Sequence, residues 1–201
     1  MFIKFLTMIC LIFSFYSLAE ISITTVNNSE NEDKIKHDLE LIQKIYDLSP
    51  WVYTNKVNID ENAKTPYSHP VLTMSTQEEY LSNETKLLSS FLHEQFHWHV
   101  IMNGKGSKKE FREAIYNEFP DVQFERPLGS GSKGGTLSHI VVCYLEFVAL
   151  SELIGHEKAI QNLSTNEYYT WVYQTIINPK NKSKLDKLLL KFGLEFRGDN
   201  S

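Results

Sequence analysis

Two histidines four residues apart, with a glutamate directly after the first, stand at His93-Glu94-Gln95-Phe96-His97. On a helix of about 3.6 residues per turn, the two imidazoles fall about 40° apart on one face and can reach a common point. Neutral imidazole nitrogens suit Zn2+ at about 2.0–2.1 Å, and a neighbouring carboxylate can take a proton from a water polarised by the ion. The spacing therefore predicts a hydrolytic centre in which His93 and His97 bind zinc and Glu94 is the general base.

Two protein ligands leave a catalytic zinc one short. The apolar stretch 138–146 offers His139 and Glu146, seven residues apart and therefore about 20° offset on a helix. A carboxylate buried among Val, Leu and Phe needs a cation or hydrogen-bond donors. Glu146 is accordingly expected as the third ligand, with His139 as the alternative ligand, an oxyanion donor or a partner one step behind the metal. Tyr168, Tyr169 and Tyr173, in EYYTWVYQTII, carry phenols that can steady an oxyanion, although aromatic residues at helical spacing also build cores. Tyr169 and Tyr173 are retained as candidates. His99 points about 160° away from His97 and is left outside the site, and Cys143 reads as a packing thiol.

These residues resemble the zincin metallopeptidases, and a glutamate on a following helix makes the gluzincin branch the closer likeness. The likeness rests on His93, Glu94, His97 and Glu146. It implies that the strand HPVLTMST runs along a substrate cleft, and that water activated by zinc and Glu94 attacks the carbonyl carbon of a peptide or protein substrate. It also implies a Tyr or His that steadies the oxyanion. No third histidine follows His97 at the metzincin spacing. The alternative, from a different class, is a zinc-binding and non-catalytic relative in which the same ligands serve binding or structure and Glu94 is idle.

The elements that must position these side chains follow from hydrophobic periodicity. Residues 82–103 carry Leu87, Leu88, Phe91, Leu92, Phe96 and Ile101 without Pro or Gly, and stop at Gly104, which predicts the central helix. A second long apolar helix over 137–153, ended by Gly155, is the other wall of the core. IKHDLELIQKIYDL gives an amphipathic helix that ends before Ser49-Pro50, and KKEFREAIYNEF a short one closed by Pro120. EYYTWVYQTII and KLDKLLLKFGL read as two more helices. WVYTNKVNI and HPVLTMST read as short strands, with Pro70 at a strand start where a missing N–H is tolerated. RPLGSGSKGGT holds four of the nine glycines and is either a connector or an active-site lid; it lacks the ending of a phosphate-binding loop. The expected fold class is α+β, mostly helical, a zincin-like core with a central HExxH helix, a second long helix and a small sheet.

Composition sets the outer bounds. MFIKFLTMICLIFSFYSLAE combines Lys4, an uncharged apolar run, and small residues Ser17 and Ala19, so residues 1–19 read as a signal peptide and the mature chain as exported, periplasmic or extracellular. Residues 20–33 read as a flexible leader, 34–194 as the hydrolase domain, and 195–201 as a C-terminal tail. Cleavage removes Cys10 and leaves Cys143, so the core rather than a disulfide must hold the fold. Losing Lys4 takes the net charge from -5 to -6, and nucleic acid is not an expected partner. No stretch after the signal is read as reaching the roughly 20 apolar residues of a membrane span.

Overall fold

The computed structural model describes residues 21–196, so the signal segment and the end of the C-terminal tail lie outside the described residues. The order is β1 (Ser22–Thr25), α1 (Glu30–Ile45), a 3-10 turn (Ser49–Trp51), β2 (Lys56–Asp60), β3 (Leu72–Ser75), α2 (Glu78–Leu81) and α3 (Glu84–Asn103). There follow α4 (Lys108–Glu118), α5 (Lys133–Ile154), α6 (His156–Ser164), α7 (Thr170–Ile177), a second 3-10 turn (Pro179–Asn181) and α8 (Lys182–Phe192). This is the expected mostly helical α+β class, with one three-stranded parallel sheet in the order β1-β2-β3.

The central helix forms where its apolar spacing puts it. Asn83 caps α3 by accepting from the Lys86 amide, and Gly104 ends it. Leu87, Leu88, Phe91, Leu92 and Phe96 are buried in one core with Ile140, Val141, Leu145 and Leu150 of α5. Each such side chain contributes about 1.5–3 kcal/mol of apolar transfer, so the α3–α5 contact is a strong brace on anything these helices carry.

Three expectations change. The leader is not loose: Ile23 of β1 pairs with Val57, and α1 begins at Glu30 rather than Lys34. Its acidic character misled, because the Glu32 carboxylate is fully buried and accepts the backbone amides of Asn27, Asn28 and Glu61. Next, α5 starts at Lys133, with Ser132 as its cap, so Gly134 and Gly135 belong to the first turn rather than to the loop. The longer helix is, by length and composition, long and apolar enough to cross a bilayer; here it is the core helix, packed on α3, α6 and α7. Finally, the free side of β3 is met by Tyr67, which pairs antiparallel with Thr73.

Candidate metal centre

The two motif histidines sit one turn apart on α3, with ring centroids 5.1 Å from each other. Across the core, α5 brings His139 to 5.5 Å from the His93 ring and 5.0 Å from the His97 ring. One ligating nitrogen from each of the three lies within 4.8 Å of the other two, so this trio could hold a metal ion.

Hydrogen bonding prepares the rings for it. His139 Nδ1 lies 2.8 Å from the Gly135 carbonyl oxygen. A carbonyl only accepts, so Nδ1 carries the hydrogen and Nε2 keeps its lone pair. His93 Nδ1 donates to Glu146 Oε2 at 2.9 Å, which turns its Nε2 to the same use. Burial, then the positive potential of His93 and His139, pushes the pKa of His97 down to about 2. Burial and His93 likewise push that of His139 to about 4. Both rings therefore stay neutral near pH 7, the form that binds metals. Burial also opposes charge on His93, but Cys143 and Glu146 outweigh it and hold its pKa well above the usual value. A bound cation would compete with that proton for Nε2.

The expected grouping of His93, His97 and Glu146 is not the one that converges. Glu146 is 1% exposed, and both its oxygens are engaged. Ser89 Oγ donates to Oε1, while His93 Nδ1 and Tyr173 Oη, the latter at 3.0 Å, donate to Oε2. The carboxylate stands behind His93, beside buried Cys143. The angular reading was sound but incomplete. Seven residues carry a helix about 10 Å along its axis, so His139 and Glu146 share a face of α5 yet meet His93 in two different groups. Tyr173, expected as an oxyanion donor, donates its phenol to Glu146 in this structure while lining the same cavity.

Glu94 lines a cavity of about 350 Å3 together with His93, His97, His139, Tyr169 and Arg126, and Glu146 and Tyr173 reach its wall as well. Burial raises its pKa to about 7, with the charge of Glu146 adding and that of His93 opposing. A carboxyl group with that proton affinity suits general acid–base work near neutral pH. Tyr169 precedes α7 with a left-handed φ of 55°, and its ring stacks on His139 at 4.4 Å. Burial raises its phenol pKa too. Tyr168 is half exposed at the rim. Residues 65–68, which lie outside β3, also line the cavity, and Tyr67 pairs with Thr73, so the segment before the strand rather than the strand itself meets the cavity.

His99, left out of the site, is buried and bonds the Leu194 carbonyl. Ser89 went unread, although its position four residues before His93 puts both on one face of α3; that spacing was the available signal. Arg126 carried no signal, because only the packing of its loop against α7 brings it to the cavity. No protein-family model, curated protein or solved structure matches this chain, so the centre is read from its own chemistry.

Proposed function

We propose that the chain is an exported zinc-dependent hydrolase acting on peptide or protein substrates, with His93, His97 and His139 as ligands and Glu94 as general base. The observation that carries this reading is the convergence of three imidazole nitrogens within 4.8 Å on a cavity that Glu94 also lines. Three protein ligands with a position left open is the pattern of catalytic rather than structural zinc.

When bound, zinc supplies Lewis acidity that polarises a carbonyl oxygen and acidifies water. The remaining work belongs to the chain. Glu146 fixes the ring of His93 through Nδ1, and Gly135 fixes that of His139. Glu94 accepts a proton from the attacking water as its oxygen bonds to the carbonyl carbon. As the C–N bond breaks, Glu94 returns that proton to the departing nitrogen. Tyr169, on the cavity wall with its ring stacked on that of His139, is the phenol placed nearest the histidine trio to donate to the developing oxyanion.

The test compares mature protein with a Glu94→Gln variant for zinc content and for hydrolysis of a peptide library. The expected outcome is one zinc per chain in both, with hydrolysis lowered about 10²–10⁴-fold in the variant. Absence of stoichiometric zinc, or undiminished hydrolysis by the variant, overturns the reading.

A further inference from the structure

His97 lines two cavities. The second, of about 410 Å3, lies between the C-terminal half of α3, the start of α4 and the first turns of α5. That volume is within the range of small-ligand sites. Its walls include Val100, Phe111 and Val142, and its lining also carries Lys105, Lys108 and Arg112. Phe111 is held edge-on against Phe192 at 4.9 Å, and Val142 is almost fully buried, so the apolar walls are fixed.

The cations are free to meet a ligand. None of the three forms an ion pair among the described residues. The nearby acids are otherwise engaged: Glu110 folds back onto the Ser107 amide and hydroxyl, and Glu113 lies 3.8 Å from Lys109. Arg112 reaches across the first turn of α5, where a Cβ on Gly134 would stand 2.9 Å from its guanidinium carbon. Three unpaired cations around an apolar hollow, in a chain of net charge -5, make a local positive field.

Resting on the hydrolase reading above, we propose that this second cavity receives the substrate on one side of the scissile bond. It selects a peptide in which an apolar side chain is followed closely by a carboxylate. The apolar group fills the space beside Val100, Phe111 and Val142, and the carboxylate meets Lys105, Lys108 and Arg112. The carboxylate has two sources, an acidic side chain or the free C-terminus of the peptide.

Binding is measured on zinc-loaded, full-length mature Glu94→Gln protein, so that turnover does not intrude. The probes are fluorescent peptides in which a Leu is followed by Glu or by Gln, and peptides ending after that Leu as free acid or as amide. The acidic member of at least one pair is expected to bind about fivefold tighter than its neutral partner, with the ratio shrinking as salt rises. A preference for Glu over Gln identifies the side chain, and for acid over amide the C-terminus. Adding K108Q and R112Q brings the ratio toward one, with Lys105 holding what remains, whereas Gly134→Ala, which keeps every charge and displaces only the guanidinium, lowers it less. Equal binding within both pairs in the parent overturns the proposal, as does a ratio untouched by K108Q with R112Q. Wild-type hydrolysis of the neutral peptides reports separately. Cleavage without charge preference sinks only the second cavity's role, while no cleavage of any peptide, with selective binding intact, sinks the hydrolase reading.

Discussion

His93 belongs to two groups of side chains, and the contrast between them explains how the centre works. Through one it joins His97 and His139, both partly exposed, on the wall of a cavity. Through Nδ1 it joins Glu146 and Cys143, which are 1% and 0% exposed. In the open group the histidines present lone pairs to a space that a ligand can enter. In the closed group the carboxylate already accepts from Ser89, His93 and Tyr173, so its hydrogen bonds serve first to fix the His93 ring. A pair of helices thus carries a binding face and, one turn along α3 and two along α5, the device that orients it.

The largest expected effect breaks the two groups apart. His139→Ala removes a ligand of the open group and is expected to abolish stoichiometric zinc. Glu146→Gln keeps the shape of the closed group but weakens its hold on His93, so stoichiometry persists while affinity falls about 10–100-fold. Competition titration against a chelator of known affinity separates the two. If Glu146→Gln loses the metal outright while His139→Ala keeps it, the assignment of ligand and support is inverted.

A second measurement uses pH on the metal-free protein. The folded pKa of Glu94, about 7, stands above its ordinary 4.5, so the native state keeps a proton that the unfolded chain releases across that window. Its contribution to stability is therefore present below pH 4.5 and lost as pH rises through 7. Glu94→Gln removes the buried charge and is expected to stabilise the metal-free protein at pH 8 by roughly 3 kcal/mol, with no gain near pH 4. His139 has the opposite sign. Its folded pKa of about 4 lies below the ordinary 6.5, so its contribution is present above 6.5 and lost as pH falls through 4. Denaturant titrations of parent and variant at both pH values isolate the Glu94 slope. A stabilisation that does not change with pH would assign the effect to packing rather than to charge.

What the chain disclosed in advance was local. The end of α3 was legible because Gly104 follows an apolar run free of breakers, its start was read two residues early at Ser82, and the His-Glu-x-x-His spacing on it needs only helical geometry. The apolar face of α5 was equally plain. The third member of the open group was not, because periodicity reports angle and omits height: only the pairing of α3 with α5 puts His139 level with His97, and Glu146 level with Ser89 and His93. The strand β1 was hidden because its partner Val57 is distant in sequence, and because an acid-rich turn reads as solvated until Glu32 is seen accepting three backbone amides. The second cavity is wholly tertiary, since Val100, Phe111 and Val142 come from three different helices.

The smallest expected effect sharpens the same contrast from the closed side. Cys143 touches both His93 and Glu146, and a thiolate there would make the closed group a plausible metal site in its own right. Burial instead raises the thiol pKa, with the interaction with His93 pulling the other way, so the sulfur stays protonated at neutral pH and packs as a small apolar group. Cys143→Ala is therefore expected to cost about 1 kcal/mol of stability, the scale of a small buried truncation. Zinc stoichiometry should be unchanged, and affinity should fall less than in Glu146→Gln. Cobalt substitution gives the sharper readout, since a sulfur ligand produces an intense charge-transfer band that three imidazoles do not. Such a band, removed by Cys143→Ala, would move the metal into the closed group and leave the open histidines to bind substrate.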